Sequence, residues 1–202
     1  QTNLLDIEDE ANQQLIAYQK EYAYQKAKFV LSNSNVDKPV FFGLRPNNFP
    51  TIRLSQLANL YASQDNLFDK LMHSNSLERI YDTFNVTTSD YWQLHYTFGK
   101  ESKPSKKRLT KNFIDLLIIN TIIPLKFAYL SHTGSHKRAE VIEIARALKP
   151  ERNSIITSFN AIGAPSLSAL ETQAKLQLYN QYCSKNRCLQ CRVGTSLLNK
   201  NT

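Results

Sequence analysis

The chain has too little glycine and proline for a fold of many tight turns, with 5 Gly and 7 Pro among 202 residues. That scarcity argues against a β-sandwich and against low-complexity sequence. Cysteine is scarcer still: three residues, all near the end, cannot form an evenly spaced disulfide framework, and they fit a reducing, cytoplasmic setting. No charged segment followed by an apolar stretch opens the chain, so no secretory signal is visible, and Gln1 in place of Met fits an excised segment. Catalytic signatures are missing too. There is no nucleophile with a partner base, no usefully spaced pair of acids and no glycine-rich phosphate loop. His132 and His136 are four apart, but Gly134 between them argues against a metal-binding helical turn. Long apolar runs are also lacking. The most apolar stretch, 113–130, is interrupted by Asp115, Asn120, Pro124 and Lys126, whereas a spanning helix needs about 20 largely uncharged residues. It predicts a buried core helix and no membrane partner.

What is present is enough to fold. With 42% hydrophobic residues, ten Tyr and ten Phe, the chain can bury a substantial core. A formal charge of +8 suits an anionic partner, nucleic acid first among them. Apolar positions recur with helical period from about 7 to 30, where Ala11, Leu15, Tyr18, Tyr22 and Phe29 share a stripe. A second helix starts at Pro50 and carries Leu54, Leu57, Ala58 and Tyr61 at i, i+3, i+4, i+7. Shorter helices are predicted over 66–73 and 77–84, and 87–99 reads as irregular. Beyond it, Pro124 should kink the core helix. Three more helices follow, near 135–148, 151–161 and 167–182. The last has Leu167, Leu170, Ala174, Leu178 and Tyr182 on one stripe, with Ser168 and Glu171 at capping-box spacing. The fold class expected is all-α: an irregular helical domain packed around the kinked helix at 116–129, either single over 1–202 or divided near 99–109.

Cys183, Cys188 and Cys191 follow the last of these helices at once. A Cys-x-x-Cys turn can aim two thiolates at one zinc ion, and a third thiol stands close by in sequence. A closed site needs a fourth ligand, for which His132 and His136 are the nearest by chemistry; an iron-sulfur cluster is the less favoured cofactor, and bare thiols are the simpler alternative. Lys185, Arg187 and Arg192 make the knuckle basic.

Two other segments could meet an anion. Arg45, Asn47 and Arg53 sit on a proline scaffold at the mouth of a helix, where they could bind phosphate or carboxylate, or could satisfy backbone carbonyls while Phe49 and Ile52 staple the loop. Lys100 to Lys111 carries six cations, among them Lys106, Lys107, Arg108 and Lys111, against the single acid Glu101. It adjoins Tyr91, Trp92, His95 and Tyr96, as cations and rings adjoin in a single-strand-binding groove.

Taken in order, GLRPNNFPTIRLSQLANLY at 43–61, LIINTIIPLKFAY at 117–129 and LQLYNQYCSKNRCLQCRVG at 176–194 resemble the carboxyl-terminal half of an uncharacterised bacterial family, a domain of unknown function. The resemblance covers nearly the whole chain. It implies a cytoplasmic protein of roughly double this length, with a separate amino-terminal part rich in His and acidic residues, and it hands no catalytic role to any residue here. The leading expectation is a non-catalytic binding module, with nucleic acid as partner. The alternatives are a structural domain packing on the missing amino-terminal half, and one part of a composite active site to which Arg45, Asn47 and Arg53 contribute.

Overall fold

The computed structural model describes residues 4–34, 36–135 and 137–199. The protein is all-α. Its helices are α1 (Gln13–Phe29), α2 (Pro50–Ser63), α3 (Leu67–His73), α4 (Leu77–Thr83), α5 (Asp90–Leu94), α6 (Lys111–His132), α7 (Arg138–Ala147), α8 (Ser154–Ala161), α9 (Ala169–Gln181) and α10 (Arg192–Asn199). The region 87–99, irregular by sequence, holds α5 and the strand β1 (His95–Thr97), which pairs antiparallel with β2 (Lys100–Glu101). Two compact units result: Gln1–Leu67 with Asp82–Thr110, and Phe68–Tyr81 with Lys111–Thr202.

The first unit is organised by α2. The helix forms where the period predicts it, but the residues it buries are Thr51, Ile52, Ser55, Gln56 and Leu60. The polar ones have work to do on the backbone that follows. Thr51 Oγ1 donates to the Tyr96 carbonyl at 2.6 Å, Gln56 Nε2 to the Lys107 carbonyl at 2.9 Å and Asn59 Nδ2 to the Thr87 carbonyl at 2.9 Å, while Ser55 Oγ accepts from Ser89 N at 3.1 Å. Segment 87–107 has little regular pairing of its own, and its buried polar groups must be satisfied by something. One face of α2 satisfies them. Leu15, Phe84 and Trp92 of the same unit are buried, as is Ile52 on α2. The opening helix starts at an Asn12 cap, whose side chain accepts from Leu15 N, and of its expected stripe only Leu15 is buried; Phe29 stands in solvent.

The second unit is built on α6. It has 22 residues, and an 18-residue window within it has mean hydropathy 1.7, so it is long and apolar enough to cross a membrane, a test the core helix of a soluble protein also passes. Within this unit one face is buried at strict four-residue intervals: Ile114, Ile118, Ile122, Lys126 and Leu130. In an unbroken α-helix such a repeat drifts by about 40° per step. A π-helical turn at Ile118–Ile122, closed by Ile123 N–H on the Ile118 carbonyl, takes up part of that drift. It also lies just before Pro124, which brings no N–H and whose ring crowds the preceding turn. The irregularity expected from the proline is therefore a widened turn ahead of it, and the helix continues to His132. On α9 the core side is likewise not the expected stripe. Ala169 and Thr172 are buried, whereas Leu167 and Ala174 are exposed, and Ser168 caps the helix by accepting from Glu171 N.

In the middle of the α6 stripe Lys126 is 2% exposed. Its ammonium donates to the carbonyls of Met72 and, at 2.6 Å, Ser74, with Leu71 at 3.5 Å. These oxygens belong to the end of α3, where the last carbonyls have no helical donor. Burial pulls the Lys126 pKa below the ordinary lysine value. Replacing Lys126 by Met strips three buried carbonyls of their donor while relieving the desolvated charge, so the expected net loss is about 3 kcal/mol of unfolding free energy. Urea unfolding at neutral pH measures it, and a variant as stable as the wild type would contradict this role.

Candidate functional site

The basic run and the proline loop, taken from sequence as one kind of anion-binding surface, separate in the structure into inward and outward residues. Lys107 is only 4% exposed. Its ammonium donates to the carbonyls of Trp92, Gln93 (3.1 Å) and His95 (2.9 Å), and it lies 4.0 Å from the centroid of the Tyr96 ring. It closes the end of α5 as Lys126 closes the end of α3. Burial lowers its pKa from the ordinary lysine value. As a contact for an external polyanion Lys107 is therefore withdrawn, because its three donors already point at backbone.

Arg53 is held too. Its guanidinium donates to Asn48 Oδ1 at 2.6 Å and to Gln56 Oε1 at 2.9 Å, and partial burial lowers its pKa. Through Gln56 it joins the network that reaches the Lys107 carbonyl. Asn47 Oδ1 accepts from the Tyr96 hydroxyl at 3.2 Å, and Phe49 packs edge-on between Phe41 and Tyr96. The loop is stapled to the first unit by aromatic and amide contacts. Arg45, Lys106, Arg108 and Lys111 are exposed. Lys111 belongs to the second unit, with its ammonium 4.8 Å from the Tyr81 ring centroid.

The rings that could have stacked bases are mostly engaged with one another. Tyr91 and His95 stack at 4.0 Å, Trp92 is 4% exposed against Tyr91 and Phe98, and the Tyr91 hydroxyl accepts from Asn12 Nδ2. A stacking platform needs open faces. Trp92 does not offer one.

At the cysteines, Cys183 opens one 3₁₀ turn, Cys188 the next, and Cys191 precedes α10. All three are free thiols; Cys183 and Cys188 are exposed and Cys191 is buried. Among the described residues no three of His, Cys, Asp and Glu gather so as to hold a metal ion. The expected zinc site thus has no assembled ligand set: His132 is exposed, and His136 lies outside the described residues. Backbone contacts close the turn instead. Cys191 N donates to the Cys188 carbonyl, and Thr195 donates to the Cys191 carbonyl through both its amide and its hydroxyl. Gly194 packs so tightly on this turn that a Cβ would collide with the Cys188 carbonyl oxygen.

What periodicity alone did not locate is an outward apolar surface on the first unit. Leu54, Leu57 and Tyr61 of α2 are 42%, 48% and 66% exposed. Leu54 and Ala58 also edge a cavity of about 320 Å³, whose walls include Leu5, Tyr18, Tyr22 and Phe98. The available signal was a second stripe on α2: Thr51, Ser55, Gln56 and Asn59 recur at helical spacing just as the apolar residues do.

Fold and surface together define a mostly helical protein of two compact units, with no metal-holding cluster among its described residues. A family model described as "Protein of unknown function (DUF2851)" matches residues 1–154, and the chain belongs to that family. The match takes in the first two resembling stretches, 43–61 and 117–129; the third, 176–194, lies beyond it. No curated protein and no solved structure matches the chain.

Two substitutions test the local chemistry. Gly194→Ala must push α10 off the Cys188 turn, and hydrogen exchange should show faster opening of 188–199 by roughly tenfold, as a cost of about 1–2 kcal/mol implies; unchanged exchange would contradict the close approach. Tyr81 donates to Asp115 Oδ1 at 2.5 Å, and burial first, then that bond, raise its pKa above the ordinary value of 10.0. A pKa raised by folding contributes stability that is present below pH 10 and lost as pH rises above it. Tyr81→Phe should therefore be less stable than the wild type at pH 8 and should flatten that part of the alkaline loss, as read from urea unfolding between pH 8 and 11.

Proposed function

We propose that the chain is a non-catalytic binding module, the carboxyl-terminal half of a longer bacterial cytoplasmic protein, and that α2 carries its partner surface. The observation that supports this most directly is the outward stripe of Leu54, Leu57 and Tyr61 on a helix whose polar face is committed to backbone. Exposed contiguous apolar area beside a cavity is the usual mark of a surface that another chain covers. The occupant best suited is the amino-terminal part of the same protein, which the resemblance to longer family members supplies. Of the three, Tyr61 is of the residue type most often found to anchor such contacts.

Leu57→Asp with Tyr61→Asp leaves the buried face of α2 intact, so the isolated chain should stay within about 1 kcal/mol of wild-type stability. Association with the amino-terminal part, measured by calorimetry, should weaken at least tenfold, about 1.4 kcal/mol. Unchanged association would overturn the reading.

Nucleic acid is the second reading, supported by exposed Lys100, Lys103, Lys106 and Arg108 on one segment. Binding to oligonucleotides would then weaken steeply with salt, since phosphate contacts release counterions. Absence of binding at low salt, or binding indifferent to salt, removes it.

A further inference from the structure

We propose that the second unit contains a binding site for a small organic anion, separate from the surface on α2. The site is a cleft of about 570 Å³ where the first half of α6 meets the segment 149–153. That volume is within the range of small-molecule sites.

The charges of the cleft are unequal in what they have left to give. Its two acids are engaged: Asp115 accepts from the Tyr81 hydroxyl, and Glu151 accepts from Gln173 Nε2 and, at 3.5 Å, from Thr172 Oγ1. Its two cations, Lys149 and Arg152, make no hydrogen bond and no ion pair among the described residues. The Asn112 amide is likewise exposed at the wall. The donors to the two carboxylates are neutral, so the cleft stays balanced in charge, but its acids are held by Tyr81, Gln173 and Thr172 while the donors of Lys149 and Arg152 are left to an external anion. Arg152 offers a planar fork that matches carboxylate or phosphate oxygens, and Lys149 adds a point charge.

The floor sets the rest of the ligand. Leu116, 47% exposed, and Ile119, 6% exposed, line the same cleft as the two cations and give it an apolar part. A ligand that fills the cleft has a carboxylate or phosphate ester facing Lys149 and Arg152, and an apolar body on Leu116. Bare inorganic phosphate uses only half of this.

Calorimetric titration of the whole chain with phenyl phosphate, benzoate, inorganic phosphate and benzyl alcohol tests the assignment. At least one aryl anion should bind saturably, inorganic phosphate at least tenfold more weakly, and the neutral alcohol not at all. Lys149→Met with Arg152→Met should weaken the aryl anion at least tenfold, while Lys106→Met with Arg108→Met should leave it unchanged. Saturable binding of neither aryl anion overturns the proposal, as does equal weakening by both variant pairs. A measurement that needs no variant runs beside it: acylation of Lys149 in the wild-type chain, followed by mass spectrometry, should slow when phenyl phosphate is present, and an unaltered rate overturns the assignment. None of these outcomes depends on whether α2 has a partner.

Discussion

Short helices leave carbonyls without donors, and this protein meets that constraint with side chains. A helix of five residues such as α5, or of seven such as α3, is nearly all terminus, so most of its carbonyls have no amide four residues on. Lys107 and Lys126 answer this in the same way, one in each unit, with three donors of one ammonium set on the closing carbonyls of a short helix. The positive charge also lies where a helix end is negative. Lys175 repeats the device at lower burial, donating to the carbonyls of Ala164 and Pro165 and to Ser166 Oγ at 2.6–2.7 Å. Among the described residues neither buried lysine has a carboxylate within ion-pair distance, although Glu140 acts on Lys126 from further away. Carbonyl oxygens make the direct contacts.

The same constraint turns α2 around. A helix that must serve the backbone of 87–107 presents its Thr, Ser, Gln and Asn inward beside Ile52 and Leu60, and Leu54 and Leu57 are left on the outside. Surface apolarity here accompanies the satisfying of buried polar groups, since one unmet carbonyl costs about as much as burying one leucine recovers. This makes the outward stripe a fixed feature of the fold, unable to rotate away without stripping four hydrogen bonds.

The existence of the longer helices was readable from the sequence, because period and caps act locally, and Asn12, Asn153 and Ser168 each cap where a helix starts; the short α5 and α10 were not expected. Which face each helix buries was not readable. On α2 and α9 polar and apolar stripes coexist, and the choice between them depends on backbone far away in the chain. Lys107 was hidden for the same reason, since in sequence it is one of six cations in a run and only its tertiary partners distinguish it from Lys106 and Arg108. At the cysteines the spacing left metal and bare thiols both open, and what it could not show is that Gly194, three residues past Cys191, lets the chain close the turn by direct backbone contact.

These placements alter what the net charge means. A formal +8 suggests a polyanion partner only if the cations face outward and together. Two of them are buried at the ends of α3 and α5, Arg53 is tied to Asn48 and Gln56, and Lys175 is folded onto its own loop. Part of the excess charge is therefore structural, matched to carbonyl dipoles that no residue count registers. What remains outside is spread along the chain: Arg45, the exposed residues of 100–108, Lys111, Lys149 with Arg152, and Lys185, Arg187 and Arg192 beside the cysteines are all exposed, among others. On α2 the exposed stripe of Leu54, Leu57 and Tyr61 is apolar while the polar face is spent on the backbone of 87–107, so what this helix has to offer outward is apolar contact, a property that net charge does not register.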